Sequence, residues 1–409
     1  MPANSRKSQS WILDRLVTAI GIDALMPSFS LSITSPVVGF NVADMDRIRN
    51  LTTGLAGMRR EYERAGSARR AIAQRAEEEG HTATARRQYH LAALCFGVAQ
   101  YLIQVDGSQE KQRLHAEMRA CYEKVCTYAD YQLEYVEVPF VDDPPYLAQS
   151  FPGVLHVPPA DGPVPCVIYL PGTDTFKEQT PNPEDNLFAK RGLACLSLDG
   201  PGQGESLLRG LKVHVTTWNY ERAVSAAIDY LETRPEIDSS RIAVYGISTG
   251  SYWAARAAIH EARGSDRIRA CAGLKAQWQT GFVTEFEYAQ PAFKTNYMYM
   301  AGIDDEAEFD RQAPLHTLDG LLAEITCPVL IGLGEHDELC TPHEVAELID
   351  QVPTRHDLWI YEGEFHPMGG VVLEAWEFAA DWMRDRLLAV GNDVPGETLW
   401  VAGGLAVAR

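Results

Sequence analysis

Gly246–Ile247–Ser248–Thr249–Gly250 is the stretch of this 409-residue sequence with the residue types and spacing for nucleophilic chemistry. The run before it, Arg241–Tyr245, reads as a short buried strand, and Ser251–Arg256 behind it as a helix, so Gly-x-Ser-x-Gly falls on a strand–turn–helix elbow. Such an elbow strains its apex residue and pushes the side chain out at the C-terminal edge of a parallel sheet. Glycines flank it because a Cβ there would collide with the neighbouring strand and helix. Amides and dipole at the helix N-terminus favour negative charge developing near Ser248. Ser248 is therefore read as a nucleophile. The pattern alone arises by chance in about one chain of this length in ten, so the context has to decide.

A serine nucleophile needs a base, and the base needs an orienting carboxylate. Behind such an elbow they follow the serine as acid, then histidine, each after a late strand. The strand ending Leu333–Gly334 leads into Glu335–His336–Asp337–Glu338, with Pro342 starting a helix; the strand ending Tyr361 leads into Glu362–Gly363–Glu364–Phe365–His366, before the last helix. Asp337 and His366 fit by order and strand context, with Glu335 or Glu338 as competing acids and His336 or His343 as competing bases. The oxyanion-binding amides expected are that of Thr249, directly after the nucleophile, and one from Leu170–Pro171–Gly172–Thr173–Asp174, with Thr173 the candidate and Asp174 the fallback. The glycine-rich Asp199–Gly200–Pro201–Gly202–Gln203–Gly204–Glu205–Ser206 lacks the spacing and the Lys-Ser/Thr ending of a phosphate loop, and reads as structural.

The elements around these residues change character near position 131. Residues 1–130 read as a helical domain: Met45, Ile48, Leu51, Leu55, Met58 and Tyr62 recur as one helix face, as do Leu91, Leu94, Cys95, Val98 and Leu102, and Leu114, Met118, Cys121 and Val125, with Gly107–Ser108 a turn. Residues 66–88, rich in Arg, Glu, Gln and Ala, read as exposed helix surface. From 131 to 409 strands and helices alternate, which argues for an α/β fold with a mostly parallel sheet. Tyr135–Phe140 and Val154–Val157 read as antiparallel strands around Asp142–Asp143–Pro144–Pro145. Further strands are expected at Pro165–Leu170, Leu193–Leu198, Ile268–Ala272, Pro328–Leu333 and Asp357–Tyr361, with helices near 184–190, 217–233 and 371–388. An aromatic-rich insertion, roughly 276–322, is either packing or part of a substrate pocket. Trp278 and Phe282 are the aromatic candidates there. Glu285 and Glu287 are either a solvated face or, turned inward, groups that hydrogen-bond a substrate phenol or protonate a carbanion leaving group.

With 36 basic against 56 acidic residues, the net charge of −20 disfavours nucleic acid and anionic membranes as partners. A small-molecule substrate is the expected partner, with self-association into a homodimer left open. The eight scattered cysteines contain no C-x-x-C, so no metal site is expected and reduced, buried thiols are. Asp14, Arg15 and Asp23 break the apolar run behind Arg6 and Lys7, so no signal peptide or membrane span is read and a cytoplasmic location is expected.

The runs Gly172–Glu178, Arg191–Ala194 and Asp199–Glu205, with the elbow and the segments Glu79–His81 and Ala85–Tyr89, resemble α/β-hydrolases with an N-terminal helical domain over about 45–390. That family includes a pseudooxynicotine hydrolase and fungal pigment hydrolases that shorten polyketide chains. The resemblance implies an α/β-hydrolase fold with a helical cap over the cleft, hydrolysis of a carbon–carbon bond beside a ketone, and no cofactor. Ser251 departs from it, standing where the family tends to have Gly; its hydroxyl is expected to narrow or polarise the elbow. Ester hydrolysis, acyl transfer or lactonisation by a cyclase- or thioesterase-like enzyme is the alternative, and a non-catalytic ligand-binding scaffold is a third reading.

Overall fold

In the computed structural model the residues described are 5–24, 29–140, 150–208, 212–402 and 405–408. Six helices come first: α1 (Ser10–Ile20), α2 (Phe29–Thr34), α3 (Val42–Leu51), α4 (Leu55–Glu78), α5 (Thr82–Tyr101) and α6 (Gln109–Thr127). The apolar repeat from Met45 to Tyr62 is not one helix. Gly54 takes φ 83°, and the Asp14 carboxylate accepts the Leu55 N–H at 2.9 Å, so the first turn of α4 is capped from α1 and the chain restarts there. Gly107–Ser108 forms the expected turn, with the Ser108 hydroxyl capping α6.

The rest is built on one ten-stranded sheet, ordered β1-β2-β4-β3-β5-β6-β7-β8-β9-β10. Its strands are β1 (Gln132–Pro139), β2 (Ser150–Val157), β3 (Val164–Leu170), β4 (Ala194–Leu198), β5 (Ile237–Ile247), β6 (Ile268–Leu274), β7 (Val329–Gly334), β8 (His356–Tyr361), β9 (Thr398–Ala402) and β10 (Leu405–Ala408). β4, β3 and β5 to β9 run parallel; β1, β2 and β10 pair antiparallel at the two margins. The loop Asp142–Pro145 lies outside the described residues. No helix forms at 184–190. The Asn182 and Asn186 side chains accept backbone N–H groups of Glu184, Phe188 and Ala189, leaving only a short 3-10 turn at Ala189–Arg191.

Successive strand residues alternate between two cores. Ile168 and Val244 face one side, packed under α7 (Asn219–Glu232) and α8 (Thr249–Ala262). Tyr169 and Tyr245 face the other, where Trp376 of the helix Val372–Leu387 and residues of α4 to α6 such as Tyr62, Phe96 and Tyr122 share a continuous core. The helical segment is thereby fixed to the sheet; a Cβ at Gly97 of α5 would run into the Phe176 ring. The eight cysteines are free, seven buried and Cys126 half-buried. Among the described residues no helix is long and apolar enough to cross a membrane.

Candidate active site

Ser248 stands where β5 turns into α8, at φ 56°. A Cβ at Gly246 would fall on the Gly250 carbonyl, and one at Gly250 on the Leu170 carbonyl, so both flanking positions admit only glycine. The Ser248 N–H bonds the Leu274 carbonyl of β6 at 3.0 Å, anchoring the turn to the next strand.

His366 Nε2 lies 2.9 Å from Ser248 Oγ, and His366 Nδ1 lies 2.8 Å and 3.0 Å from the two Asp337 carboxylate oxygens. Asp337 Oδ1 also accepts the N–H groups of Leu339 (2.9 Å) and Cys340 (3.0 Å). Burial opposes charge on His366, but Asp337, with Glu338, outweighs it and raises the imidazole pKa above its ordinary value. A hydroxyl bonded to an imidazole backed by a carboxylate can pass its proton to the ring as it attacks a carbonyl. The competitors stand elsewhere: Glu338 accepts the His366 N–H (2.9 Å), Glu335 that of Gly363 (2.9 Å), and His336 and His343 are exposed.

Ser248 and His366 open into a cavity of ≈ 210 Å³ between the sheet edge and the helical segment. Its far wall is apolar, with Leu13, Ile33, Val37, Leu55, Val98 and Leu102 among its residues. Thr173 and Asp174 line it as well. The Thr173 carbonyl is held from behind by Tyr101 Oη (2.8 Å) and Asn296 Nδ2 (2.7 Å), while the Thr173 and Thr249 N–H groups donate to no backbone or side-chain acceptor among the described residues. Gln203 Nε2, from the glycine-rich segment, binds the carbonyls of Pro171 and Gly172 (both 2.9 Å), so that segment braces the Thr173 loop.

The insertion divides its candidates. Glu285, on a single π turn (Thr284–Tyr288), is fully buried and is not among the residues that line the cavity; Oε2 accepts from Gln277 Nε2 at 2.7 Å and Oε1 has no partner among the described residues. Burial above all, with Asp174 and Asp337 adding to it against His366 and Gln277, pushes its pKa up to about 7. Glu287 is not part of the site: half exposed, it pairs with Lys294 at 2.6 Å. Nor do Trp278 and Phe282 line the cavity. Trp278 Nε1 donates to the Ser251 carbonyl (3.3 Å), and Phe282 packs edge-on against Tyr252, Phe286 and Tyr297 on the far face of the sheet.

Ser251 polarises the scaffold rather than the cavity. Its Oγ donates to the Ser248 carbonyl (2.6 Å) and accepts the Gln277 N–H (3.0 Å); Gly273 makes room for it, since a Cβ there would lie 2.6 Å from the Ser251 Cβ. The sequence reading missed Tyr101, the apolar wall and Lys275. The one signal for Lys275 is a charge directly after the buried apolar run Ala270–Leu274.

A parallel sheet carrying a strained serine elbow, with histidine and aspartate presented at its C-terminal edge, defines an α/β-hydrolase. The family described as "Esterase FrsA-like" matches residues 45–385, and the chain belongs to it. The chain is 30% identical over 331 residues to the 2,6-dihydropseudooxynicotine hydrolase of Paenarthrobacter nicotinovorans, covering 80% of this chain and 83% of that one. It is 26% identical over 341 residues to the α/β hydrolase xenA of Xenoacremonium sinensis, covering 71% and 77%. The crystal structure of the 2,6-dihydroxy-pseudo-oxynicotine hydrolase superposes with a TM-score of 0.75 at 25% identity, covering 89% of this chain and 97% of that one.

Proposed function

We propose that this hydrolase cleaves a carbon–carbon bond next to a ketone, or an ester bond, in a bulky, largely apolar aromatic or polyketide-like substrate, with Ser248 as nucleophile, His366 as base and Asp337 as its orienting acid. The observation that carries the reading is the unbroken line from Ser248 Oγ through His366 to Asp337, open to a largely apolar cavity. The Paenarthrobacter relative, named a hydrolase of 2,6-dihydropseudooxynicotine, supports hydrolysis of a small organic substrate.

His366 Nε2 takes the Ser248 proton as Oγ bonds the carbonyl carbon, and the Thr173 and Thr249 amides receive the oxyanion. Collapse breaks the bond to the leaving group, which departs with the electron pair and takes the proton from His366. Water, deprotonated by His366, attacks the acyl-serine; the acid leaves and the proton returns to Ser248. A carbon leaving group needs a proton at the moment of cleavage, and Glu285, partly protonated near neutrality, is suited to stabilise the developing charge as His366 delivers that proton. The helical segment serves as the cap that keeps bulk water from the cavity.

Product analysis on aryl β-diketones and on p-nitrophenyl esters tests this. Release of a carboxylic acid and a ketone from a diketone supports carbon–carbon hydrolysis; turnover of esters alone leaves an esterase, and a cyclised product leaves an acyl-transferring enzyme.

A further inference from the structure

Two other lysines of this chain, both essentially without solvent exposure, are ringed by carboxylates. Lys177 Nζ meets Glu178 (2.7 Å), Asp199 (3.1 Å) and Glu205 (3.0 Å); Lys294 Nζ meets Glu287 (2.6 Å), Asp310 (2.6 Å) and Glu306 (3.2 Å). Lys275 is built differently. It lines the cavity that holds Ser248 and His366, forms no ion pair among the described residues, and bonds one neutral partner there, Ser32 Oγ of α2, at 2.9 Å. An ammonium carries three donors, so two are left for a guest.

Its backbone is strained as well. Lys275 sits at φ 55°, a conformation a non-glycine residue adopts at a cost. It follows directly on Leu274, whose carbonyl holds the Ser248 N–H, so its position is tied to the elbow. Burial lowers its pKa to about 8, against the pull of Asp174, Asp337 and Glu364, and the charged form still dominates at pH 7. Asp174 shares the cavity wall; burial raises its pKa, opposed by Lys275 and His366, and no ion pair joins it to Lys275 among the described residues.

Building on the serine chemistry above, we propose that Lys275 is a specificity-determining residue: its ammonium, set in the wall of the largely apolar cavity that also holds the nucleophile, ion-pairs with a deprotonated acid oxygen on the substrate. Carboxylates and enolates share that chemistry, and charge-assisted hydrogen bonds are about twice as strong as neutral ones.

The test compares p-nitrophenyl pentanoate with mono-p-nitrophenyl glutarate, in which a carboxylate replaces the terminal methyl, and adds benzoylacetone, an acidic β-diketone, as a second arm. Lys275→Gln keeps a donor for Ser32 and removes the charge. The ratio of kcat/KM for an acidic substrate over the neutral ester should fall about 10- to 100-fold, through KM, and Lys275→Arg should restore most of it. A fall confined to the glutarate ester assigns a carboxylate; one confined to benzoylacetone assigns an enolate. Equal factors on acidic and neutral substrates overturn the proposal and leave Lys275 a structural link to α2. Calorimetric binding of the glutarate ester to Ser248→Ala, with and without Lys275→Gln, separates the two claims. With benzoylacetone measured alongside, Kd values for both acidic ligands unchanged by Lys275→Gln overturn anion recognition whether or not Ser248 is the nucleophile, and either one weakened about 10-fold or more upholds it even if the serine reading fails.

Discussion

Two buried polar clusters share the C-terminal edge of the sheet, and they spend their charge in opposite ways. At β3 and β4, Lys177 gives its ammonium to Glu178, Asp199 and Glu205, Asp199 also accepts the N–H groups of Lys177 (2.9 Å) and Glu205 (3.0 Å), and Arg119 of α6 closes on Glu205 at 2.7 Å. That cluster is a clamp, joining the helical segment to the sheet. At β5 to β8, the line Ser248–His366–Asp337 ends in a hydroxyl facing a cavity, with Lys275 on the same wall and in no ion pair among the described residues. Residue types do not separate a structural cluster from a reactive one. What separates them is whether the last polar atom meets protein or open space.

The largest effect expected within this contrast is on the reactive side. Asp337→Asn should cut kcat/KM by about 10⁴-fold, because only a carboxylate holds His366 in the required tautomer. Glu335→Gln and Glu338→Gln should do far less, and a Glu338→Gln enzyme the more damaged would reassign the acid. The pH profile sharpens this. The base must be neutral, and Asp337 helps to raise its pKa, so activity should fall as pH drops through a value above 6.5, and Asp337→Asn should move that limb downward. A limb that stays in place would detach it from His366.

On the structural side, Lys177→Met removes the buried cation that three carboxylates share and should cost about 3–5 kcal/mol of stability, read as a fall in denaturation midpoint. Unchanged stability would break the contrast. Glu285→Gln should slow cleavage of an aryl β-diketone by about 10²-fold and leave a p-nitrophenyl ester nearly untouched, since that leaving group needs no proton. Equal effects remove Glu285 from proton transfer. Glu287→Gln, loosening a half-exposed ion pair, should change stability by less than about 1 kcal/mol and ketone cleavage hardly at all.

Much of this site was legible in the sequence because its chemistry is written locally. Gly246 and Gly250 around Ser248 state the elbow, and Asp337 and His366 each follow an apolar strand in the right order. What depends on how a short turn rotates was not legible. Glu285 and Glu287 stand two residues apart in one π turn, and no helical or strand period says which points inward. Trp278 and Phe282 signalled burial without saying on which face of the sheet. The cavity wall draws Leu13, Ile33, Leu55 and Val98 from four separate helices, a grouping only the tertiary fold creates. β9 and β10 escaped notice as short strands beyond a long final helix, and the restart at Gly54 was hidden because the apolar spacing runs through it unbroken.

The central claim is that Ser248 forms the bond to the substrate acyl group. Treating the enzyme with an acyl p-nitrophenyl ester, quenching in acid and mapping peptides by mass spectrometry tests it most directly. The acyl mass should sit on the peptide carrying Ser248, and Ser248→Ala should show no adduct and lose about 10⁴-fold in turnover while melting like the wild type. An adduct on another residue, or a Ser248→Ala enzyme within about tenfold of wild type, would contradict the account.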